Sequence, residues 1–395
     1  MNILFITPLF PYPLESGGQT RFFNLIKRLS CDHKITLFSF IRKQKEKEFI
    51  PELLPYCQKV KVFKRREAWS IFNILLAGFS RLPFLCSTYW SKEFKKAVEQ
   101  ELSIGNYEVV HLECFYTGTS LPKTKVPLFL VEHNVEHQVY KQFVERCKIL
   151  PLKPFLYWDV WKMKGLETAF WQRADKVAAV SQKDQKQIEK TLGKKCGLVL
   201  NGVDFYHFSS TKKRTHKQPT VLFVGNLKWF PNRDAVLFLL TKVWDKIRRQ
   251  VPEARLWIVG RNFPQDILKF PREGVDFDDL VEDIREAHCL SDVLIVPLRV
   301  GGGIKFKVLE AMASGLPVVS TKIGVEGVGA REGKEFLLGG NARGLAQATV
   351  KLLKNKKLRE EIGKSAQKFV GENYDWDRIV KNLNYAYQEM LDEKG

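Results

Sequence analysis

The stretch RVGGGIKFKVLEAMASGLPVVST, residues 299–321, follows the apolar run DVLIVP and decides the fold class. Its three glycines stand at the carboxyl end of a predicted strand, KVLEAMA predicts a helix, and SGLPVVST predicts a glycine stop and a second buried strand. Glycines at this place bring backbone N–H groups to the ligand crevice of an open α/β sheet. Lys305 and Lys307 add positive charge. A turn that only joins strand to helix would require neither feature.

Short apolar runs alternate with helical patterns along the rest of the chain. The first strand–helix–strand unit consists of ILFIT (3–7), a helical pattern at 19–30 and KITLFSF (34–40). The same alternation begins again after residue 219 with TVLFVGN. This order predicts parallel sheets that are covered on both faces. We therefore expect an α/β protein built from two doubly wound units.

The domain limits follow from the same alternation of predicted strands and helices. Residues 1–205 form the predicted first domain and residues 206–374 the second, with the polar, basic stretch 209–220 near the boundary as a linker. Apolar residues at helical spacing predict an amphipathic helix in 375–395.

Composition excludes several classes of protein. The 395 residues are 45% hydrophobic, which is too apolar for a disordered or fibrous chain, and their net charge is +20. The seven cysteines are scattered and form no CxxC pair, which argues against a disulfide framework and a zinc ribbon. The longest apolar stretch, residues 69–79, is shorter than the roughly 18 residues that a spanning helix needs. We expect a cytoplasmic protein with reduced thiols.

A second glycine loop lies near the N-terminus, in TPLFPYPLESGGQTRFFNL (7–25). Gly17 and Gly18 precede a predicted helix, whose free N–H groups and dipole favour an anion such as a phosphate. A Gly-Gly turn without a ligand is an equally good reading of this pair taken alone.

Five segments in this order resemble glycosyltransferase family 4, and the resemblance extends through most of the chain. They are GGQTRFFNLIKRL (17–29), ADKVAAVSQKD (174–184), LNGVDFYHF (200–208), FVGNLKWFPN (223–232) and residues 301–321. The resemblance implies the GT-B fold, in which two Rossmann-like domains face a cleft and the terminal helix at 375–395 crosses back to the first domain. It also implies sugar transfer with retention of configuration and without a metal or other cofactor.

The partners implied by the resemblance are a nucleotide-sugar donor, held mainly by the second domain, and a glycan or lipid-linked acceptor on the first. A leaving nucleoside diphosphate develops negative charge, so its site needs preorganised donors. The donor-binding residues expected on this basis are Gly17, Gly18, Asn201, Gly225, Lys228, Gly302, Gly303, Lys305 and Glu310. Glu310 matches the family glutamate that binds the ribose; the alternative is a carboxylate favoured only by the helix dipole.

The chain departs from the family pattern at two places. The earlier of two family glutamates falls at Gly302, so the usual carboxylate contact to the donor sugar is missing. The arginine after the second-domain glycine is Asn226, and the lysine a few positions later falls on Phe230 or Pro231. We expect Lys228 or Lys305 to substitute. The wording GGGIKFKVLEAMA is compatible with a distinct subgroup of the family.

The first domain offers catalytic and acceptor candidates at two predicted strand ends. Glu113 and His111 are the catalytic candidates, which could contact the donor sugar or stabilise developing charge; a satisfied core histidine is the alternative for His111. The acceptor-side candidates are Arg21, Glu132, His133 and Asn134. His133 and His137 also have a spacing that could suggest zinc, but no HExxH order or third ligand accompanies them, so no metal site is expected.

The positive charge has two further interpretations. Residues 58–100 carry nine Lys or Arg against three acids, beside bulky apolar side chains, and residues 147–164 form a second such stretch. This composition suits peripheral docking on an anionic membrane, at the inner face of the plasma membrane, unless the aromatics are core. A nucleic-acid-binding protein is the other interpretation, but no recognition motif accompanies the charge, and we expect no nucleic-acid partner.

A nucleotide-sugar epimerase of the same fold remains an alternative activity.

Overall fold

We describe a computed structural model of the chain. It describes residues 1–147, 149–211, 214, 218–270, 273–279 and 281–394. The chain divides into two compact units: unit 1 comprises Met1–Asn201 and Ile379–Gly395, and unit 2 comprises Gly202–Arg378. The predicted linker 209–220 falls partly outside the described residues, since Lys212, Lys213 and 215–217 are not among them.

Unit 1 contains a seven-stranded sheet in which the paired strands described are parallel, in the order β3-β2-β1-β4-β5-β6-β7. Its strands are β1 (Asn2–Thr7), β2 (Lys34–Ile41), β3 (Lys59–Lys64), β4 (Val109–Glu113), β5 (Leu128–Glu132), β6 (Lys176–Ala179) and β7 (Gly197–Leu198). All five residues of β4 and of β5 are buried, as expected for central strands covered on both faces.

In the part of unit 1 that the structure describes, seven helices connect these strands. They are α1 (Gly17–Leu29), α2 (Ile71–Phe79), α3 (Phe84–Ser87), α4 (Lys92–Ile104), α5 (Glu136–Arg146), α6 (Lys153–Arg173) and α7 (Gln182–Leu192), with 3-10 turns at Gln44–Glu52, Phe115–Ser120 and Leu150–Leu152. Ser16 caps α1, because its side chain accepts a hydrogen bond from Gln19 N. Phe22, Leu25 and Leu29 on one face of α1 are fully buried.

Unit 2 contains a six-stranded sheet in the order β10-β9-β8-β11-β12-β13. Its strands are β8 (Thr220–Asn226), β9 (Arg255–Arg261), β10 (Val275–Asp278), β11 (Val293–Val296), β12 (Val318–Ser320) and β13 (Leu337–Leu338). The helices are α8 (Phe205–Ser209), α9 (Phe230–Phe238), α10 (Trp244–Arg248), α11 (Gln265–Leu268), α12 (Ile284–Cys289), α13 (Phe306–Ala313), α14 (Ala342–Lys354) and α15 (Lys356–Asn373), with a π turn at Leu239–Val243 between α9 and α10.

The last helix, α16 (Trp376–Asp392), continues from the end of unit 2 into unit 1. Leu383, Tyr387 and Met390 lie on one face of this helix and are buried. The helix thus has the amphipathic face expected from the spacing of its apolar residues.

Both sheets confirm the predicted doubly wound, parallel α/β fold. In each sheet the first strand of the unit lies between the second and the fourth, so the strand order reverses beside β1 in unit 1 and beside β8 in unit 2. Ligands of such sheets bind at this reversal, outside the carboxyl ends of the strands. No helix among the described residues is long and apolar enough to span a bilayer.

Candidate active site

Glu113 ends β4 at the strand reversal of unit 1 and has no exposed surface. Arg21 on α1 is equally buried, and its Nε lies 3.3 Å from both carboxylate oxygens of Glu113. Arg21 Nη1 also donates to Val199 O, Leu200 O and Asn201 Oδ1, at 3.1, 3.0 and 3.1 Å. The guanidinium therefore ties the end of β4 to the segment at 199–201.

Two histidines complete the environment of Glu113. His111 Nε2 lies 3.1 Å from Glu113 Oε1, and His133 Nε2 lies 2.5 Å from Oε2. Burial alone would raise the pKa of Glu113, but the charge of Arg21 and the two imidazole contacts hold it well below its usual range. An ionised carboxylate only accepts hydrogen bonds, so both Nε2 atoms are donors.

His111 is oriented from its other side by Tyr387 on α16, whose hydroxyl lies 2.5 Å from His111 Nδ1. Burial lowers the pKa of His111 and raises that of Tyr387 well above its ordinary value, so the hydroxyl donates to a neutral imidazole. The ring of His111 also stacks on Phe5, with centroids 4.1 Å apart. His111 and Glu113 have no exposed surface, and within unit 1 their side chains contact Arg21, His133 and Tyr387.

His133 is the histidine of this network that reaches the surface. Its side chain is 21% exposed, whereas that of Glu113 is 0% exposed. Its Nδ1 forms no hydrogen bond with any part of the chain that the structure describes. When Nε2 carries the proton, Nδ1 of the neutral ring is an acceptor that a substrate hydroxyl can use.

Glu132, one of the predicted acceptor-side residues, lies inside unit 1. Its Oε1 accepts from Trp171 Nε1 at 2.9 Å, and its side chain is fully buried. Burial and the neighbouring Glu167 raise the pKa of Glu132 well above its usual range. The buried, hydrogen-bonded group is suited to a structural role.

His133 and His137, whose spacing could suggest zinc, contact different carboxylates. His133 binds Glu113, whereas His137 Nδ1 lies 2.5 Å from Glu167 Oε2. Asn134, between them, donates from Nδ2 to Glu136 at 3.2 Å. Among the residues described, no three His, Cys, Asp or Glu side chains are grouped so that they could hold a metal ion.

The second group of polar residues lies at the strand reversal of unit 2, where β11 leads through the glycine loop to α13. Gly301 and Gly303 have φ values of 119° and 70°, which L side chains rarely adopt, so the loop conformation favours glycine at both positions. Lys305 Nζ donates back to the carbonyl oxygens of Gly302 and Gly303, at 3.2 and 2.5 Å. Lys305 thus stabilises the loop.

Lys307, the second residue of α13, points toward the end of β8. Its Nζ lies 2.9 Å from Asn232 Oδ1 and 4.7 Å from the centroid of the Phe223 ring. A Cβ placed on Gly225 would lie 3.0 Å from this Nζ and 2.9 Å from Asn232 Cγ. The absence of a side chain at Gly225 is therefore what makes room for the ammonium group.

Glu310 follows Lys307 by three residues on α13, and both are half-buried. Burial raises the pKa of Glu310 to about 7, against the charge of Lys307. Burial likewise lowers the pKa of Lys307 to about 7, against the charge of Glu310. The Glu310 carboxyl group forms no hydrogen bond to the residues described, so its oxygens are available to a ligand.

The remaining predicted donor-binding residues lie apart from the contacts of Lys307. Lys228 is exposed, and its backbone N donates to Asn226 Oδ1 at 3.0 Å. Gly17 is exposed at the start of α1, and a Cβ on Gly18 would make only ordinary contacts at 3.6 Å. Asn201 is bound to Arg21 within unit 1.

Comparison with known families decides what kind of protein carries these two groups. Residues 16–206 match the family model described as Glycosyltransferase Family 4, and residues 218–355 match one described as Glycosyl transferases group 1. The chain belongs to the family 4 glycosyltransferases. The expected family is thereby confirmed, and so is the GT-B fold class of this glycosyltransferase.

Relatives of the glycosyltransferase extend over its whole length. An uncharacterized 44.6 kDa protein in the cps region of Klebsiella pneumoniae is 23% identical, over 97% of this chain and 98% of that one. The structure of sucrose-phosphate synthase from Thermosynechococcus elongatus superimposes with a TM-score of 0.71 at 17% identity, covering 100% of both chains. The structure of Anabaena HepE in complex with UDP and glucose has a TM-score of 0.64 at 15% identity, covering 98% of this glycosyltransferase and 100% of HepE.

Two residues of these groups were not among the predicted site residues. In the sequence, Lys307 stands out only as a positive charge beside the glycine loop, although its spacing of three residues from Glu310 places both side chains on one helix face. Tyr387 is one of the residues at helical spacing in the predicted helix 375–395, and its contact with His111 spans 276 residues. No local pattern in the sequence signals a contact of that range.

Proposed function

We propose that this glycosyltransferase transfers a sugar from a nucleotide-sugar donor to a glycan or lipid-linked acceptor, with retention of anomeric configuration, in cell-envelope or exopolysaccharide synthesis. The observation that carries the proposal is the Lys307–Glu310 pair beside the glycine loop of unit 2. The half-buried ammonium group of Lys307 suits the diphosphate of a nucleoside diphosphate, and the half-buried carboxyl group of Glu310, which has no hydrogen-bond partner among the residues described, suits its ribose.

Lys307 is the residue that we assign to the donor diphosphate. Burial makes its charge costly without a counter-ion, and a diphosphate would supply that counter-ion. Backbone N–H groups at the start of α13 add a positive dipole end close to Lys307. These donors would stabilise the negative charge that develops on the leaving nucleoside diphosphate. Lys307 would then fill the role of the basic residues missing at Asn226 and Phe230.

Glu310 is assigned to the donor ribose. Two carboxylate oxygens can accept from two neighbouring hydroxyl groups, and no described side chain uses these oxygens. Loss of its proton on binding would be favoured, because the ammonium group of Lys307 lies on the same helix face.

His133 is assigned to substrate on unit 1. Its Nε2 is fixed by the ionised Glu113, which would also stabilise positive charge on the imidazole. Such a group can bind a sugar hydroxyl and stabilise charge as the glycosidic bond breaks. In this proposal Glu113 and His111 act as positioning residues, and no metal takes part.

The relatives support the choice of donor and pathway. A structural neighbour binds UDP and glucose, which makes a UDP-sugar the first donor to test. A full-length relative is named for its place in a cps region, which supports a polysaccharide product.

Thermal unfolding of the full chain with UDP-, GDP- and ADP-sugars tests the donor site. A ligand that binds only the native state raises the melting temperature, by an amount that grows with concentration above Kd. We expect stabilisation by one nucleotide class, and its loss in Glu310→Gln and Lys307→Met but not in Lys228→Met. Absence of a shift with every donor would contradict the proposal.

Product analysis tests the reaction itself. With an α-linked donor and a panel of glycan and polyprenyl-phosphate acceptors, NMR should show an α-linked product, and chelation with EDTA should leave the rate unchanged. A β-linked product would contradict retention. Conversion of the donor to its epimer without any acceptor would favour the epimerase alternative.

A further inference from the structure

Helix α2 is apolar on its exposed side. Phe79 is 89% and Ile71 is 77% exposed, and Trp69, just before the helix, is 82% exposed. Of the nine residues of α2, Asn73 and Ala77 are the buried ones, and Asn73 Nδ2 donates to Ala68 O at 3.0 Å. Its polar side chain therefore points inward and its large apolar side chains point out, which is the reverse of an ordinary surface helix.

The first half of α6 adds a second exposed apolar face. Phe155, Trp158 and Trp161 follow one another at a spacing of three and are 76%, 58% and 72% exposed. Lys162 Nζ joins the two helices, because it donates to Ala77 O at 2.6 Å and to Leu82 O at 3.1 Å. The exposed apolar side chains on and beside these two helices are called the docking surface; they are Trp69, Ile71, Phe72, Leu75, Phe79, Phe155, Trp158 and Trp161.

These aromatics are therefore not part of the core, which was the alternative that the sequence left open. Eight exposed, bulky apolar side chains on and beside two joined helices of unit 1 are unusual for a protein that has no partner. A binding partner that covers these side chains would therefore have to present apolar groups.

The docking surface is bordered by cations that form no ion pair with the residues described, although Arg65 Nη1 donates to Tyr89 Oη at 3.1 Å. A recess of about 350 Å³ is lined by Arg42, Arg65, Arg66, Glu67, Ala68 and Trp69. A second of about 320 Å³ is lined by Lys64, Arg66, Phe72, Trp90, Ser91 and Lys92. Arg66 lies in both, with its guanidinium 4.4 Å from the Phe72 ring and 4.8 Å from the Trp90 ring.

The arginines of these recesses have free hydrogen-bonding capacity. Arg65 Nε and Arg66 Nη1 are buried and have no hydrogen-bond partner. Across the described part of the chain, neither guanidinium forms an ion pair with an acid, and Glu67 is the one acidic residue that lines either recess. Planar guanidinium groups bind phosphate oxygens strongly, so both recesses are suited to a phosphate group.

We propose that the docking surface binds an anionic phospholipid bilayer, with its aromatic side chains in the interfacial layer and Arg65 and Arg66 on lipid phosphates. A bilayer offers apolar chains and phosphates together, which is the combination that this surface presents. A second copy would bring an equally basic 58–100 segment against this one, and nucleic acid would leave the aromatic faces of α2 and α6 uncovered. The inference does not depend on the proposed transfer reaction, because binding can be measured without donor or acceptor.

Vesicle flotation of the full chain tests the proposal. We expect binding to vesicles of phosphatidylcholine with phosphatidylglycerol, weakened by salt, and little binding to phosphatidylcholine alone. The Arg65→Gln/Arg66→Gln variant should bind about thirtyfold more weakly, on the basis of about fivefold for each basic residue at the lipid surface. Phe79→Ser should bind about tenfold more weakly, because one buried ring is lost.

Matched controls lie away from the docking surface. Ile104→Ser changes an equally exposed apolar residue of unit 1, at 79% exposure, and Lys354→Gln/Lys357→Gln removes two charges from unit 2. Both should bind vesicles like the unchanged chain. Phe79→Ser should keep any thermal shift given by nucleotide, which separates failure of docking from failure of the proposed function.

Three outcomes would overturn the proposal. The first is no binding to anionic vesicles at low salt. The second is equal loss of binding in the control and surface variants. The third is a dimer in gel filtration that Phe79→Ser converts to monomer without any vesicle binding, which would assign the surface to a second copy of the chain.

Discussion

Replacement of Lys307 by methionine should remove the pH dependence of nucleotide affinity. The pKa of this lysine is lowered by burial to about 7, so about nine-tenths of it is charged at pH 6 and about one-tenth at pH 8. A diphosphate binds the charged form, and its affinity should therefore fall about tenfold between these pH values on account of Lys307. Methionine keeps the length of the apolar stem but carries no charge.

Calorimetric titration of UDP into both proteins at pH 6 and pH 8 measures this effect. The phosphates of UDP and the Glu310 carboxyl group also titrate, so the quantity of interest is the ratio of the two Kd values at each pH. We expect the advantage of the unchanged chain over Lys307→Met to shrink about tenfold from pH 6 to pH 8. Lys228→Met, which alters an exposed lysine, should keep the full pH dependence. An equal ratio at both pH values would refute the assignment of Lys307 to the diphosphate.

Three further substitutions test the geometry of the two units. Glu113→Gln should lower the free energy of unfolding in urea by about 3–5 kcal/mol, because the buried charge of Arg21 loses its counter-ion, and a loss below about 1 kcal/mol would contradict the ion pair. Tyr387→Phe should cost about 1–3 kcal/mol by leaving a buried imidazole nitrogen unpaired, while Tyr385→Phe, at a position 73% exposed, should cost almost nothing. Gly225→Ala should weaken UDP binding in calorimetry with little change in melting temperature; unchanged affinity would show that the space beside Lys307 is not used.

The sequence predicted the strands that contain continuous apolar runs, such as β1, β8 and β11, because strands buried on both faces contain few polar residues. The strands β3 and β10 were not predicted. KVKVFK alternates lysine with apolar residues at a sheet edge, and β10 begins within an acidic segment, so neither resembles a buried strand.

The site was predictable where chemistry is local to one segment, and unpredictable where it depends on distant contacts. The glycine loop and Glu310 are contiguous with α13, so the sequence alone is enough to propose them as donor-binding residues. The choice among Lys228, Lys305 and Lys307 depends on which ammonium group faces Gly225 and Asn232, and these contacts exist only in the folded unit. The burial of Glu113 and His111 likewise follows from α1 and α16 covering the end of β4.

A crystal structure of the full chain with UDP tests the central claim most directly. We predict that the diphosphate lies against the glycine loop at 301–305, with an oxygen within hydrogen-bond distance of Lys307 Nζ, and that the ribose hydroxyls donate to Glu310. UDP bound elsewhere, or at this place with Glu310 and Lys307 both free of it, would contradict the account.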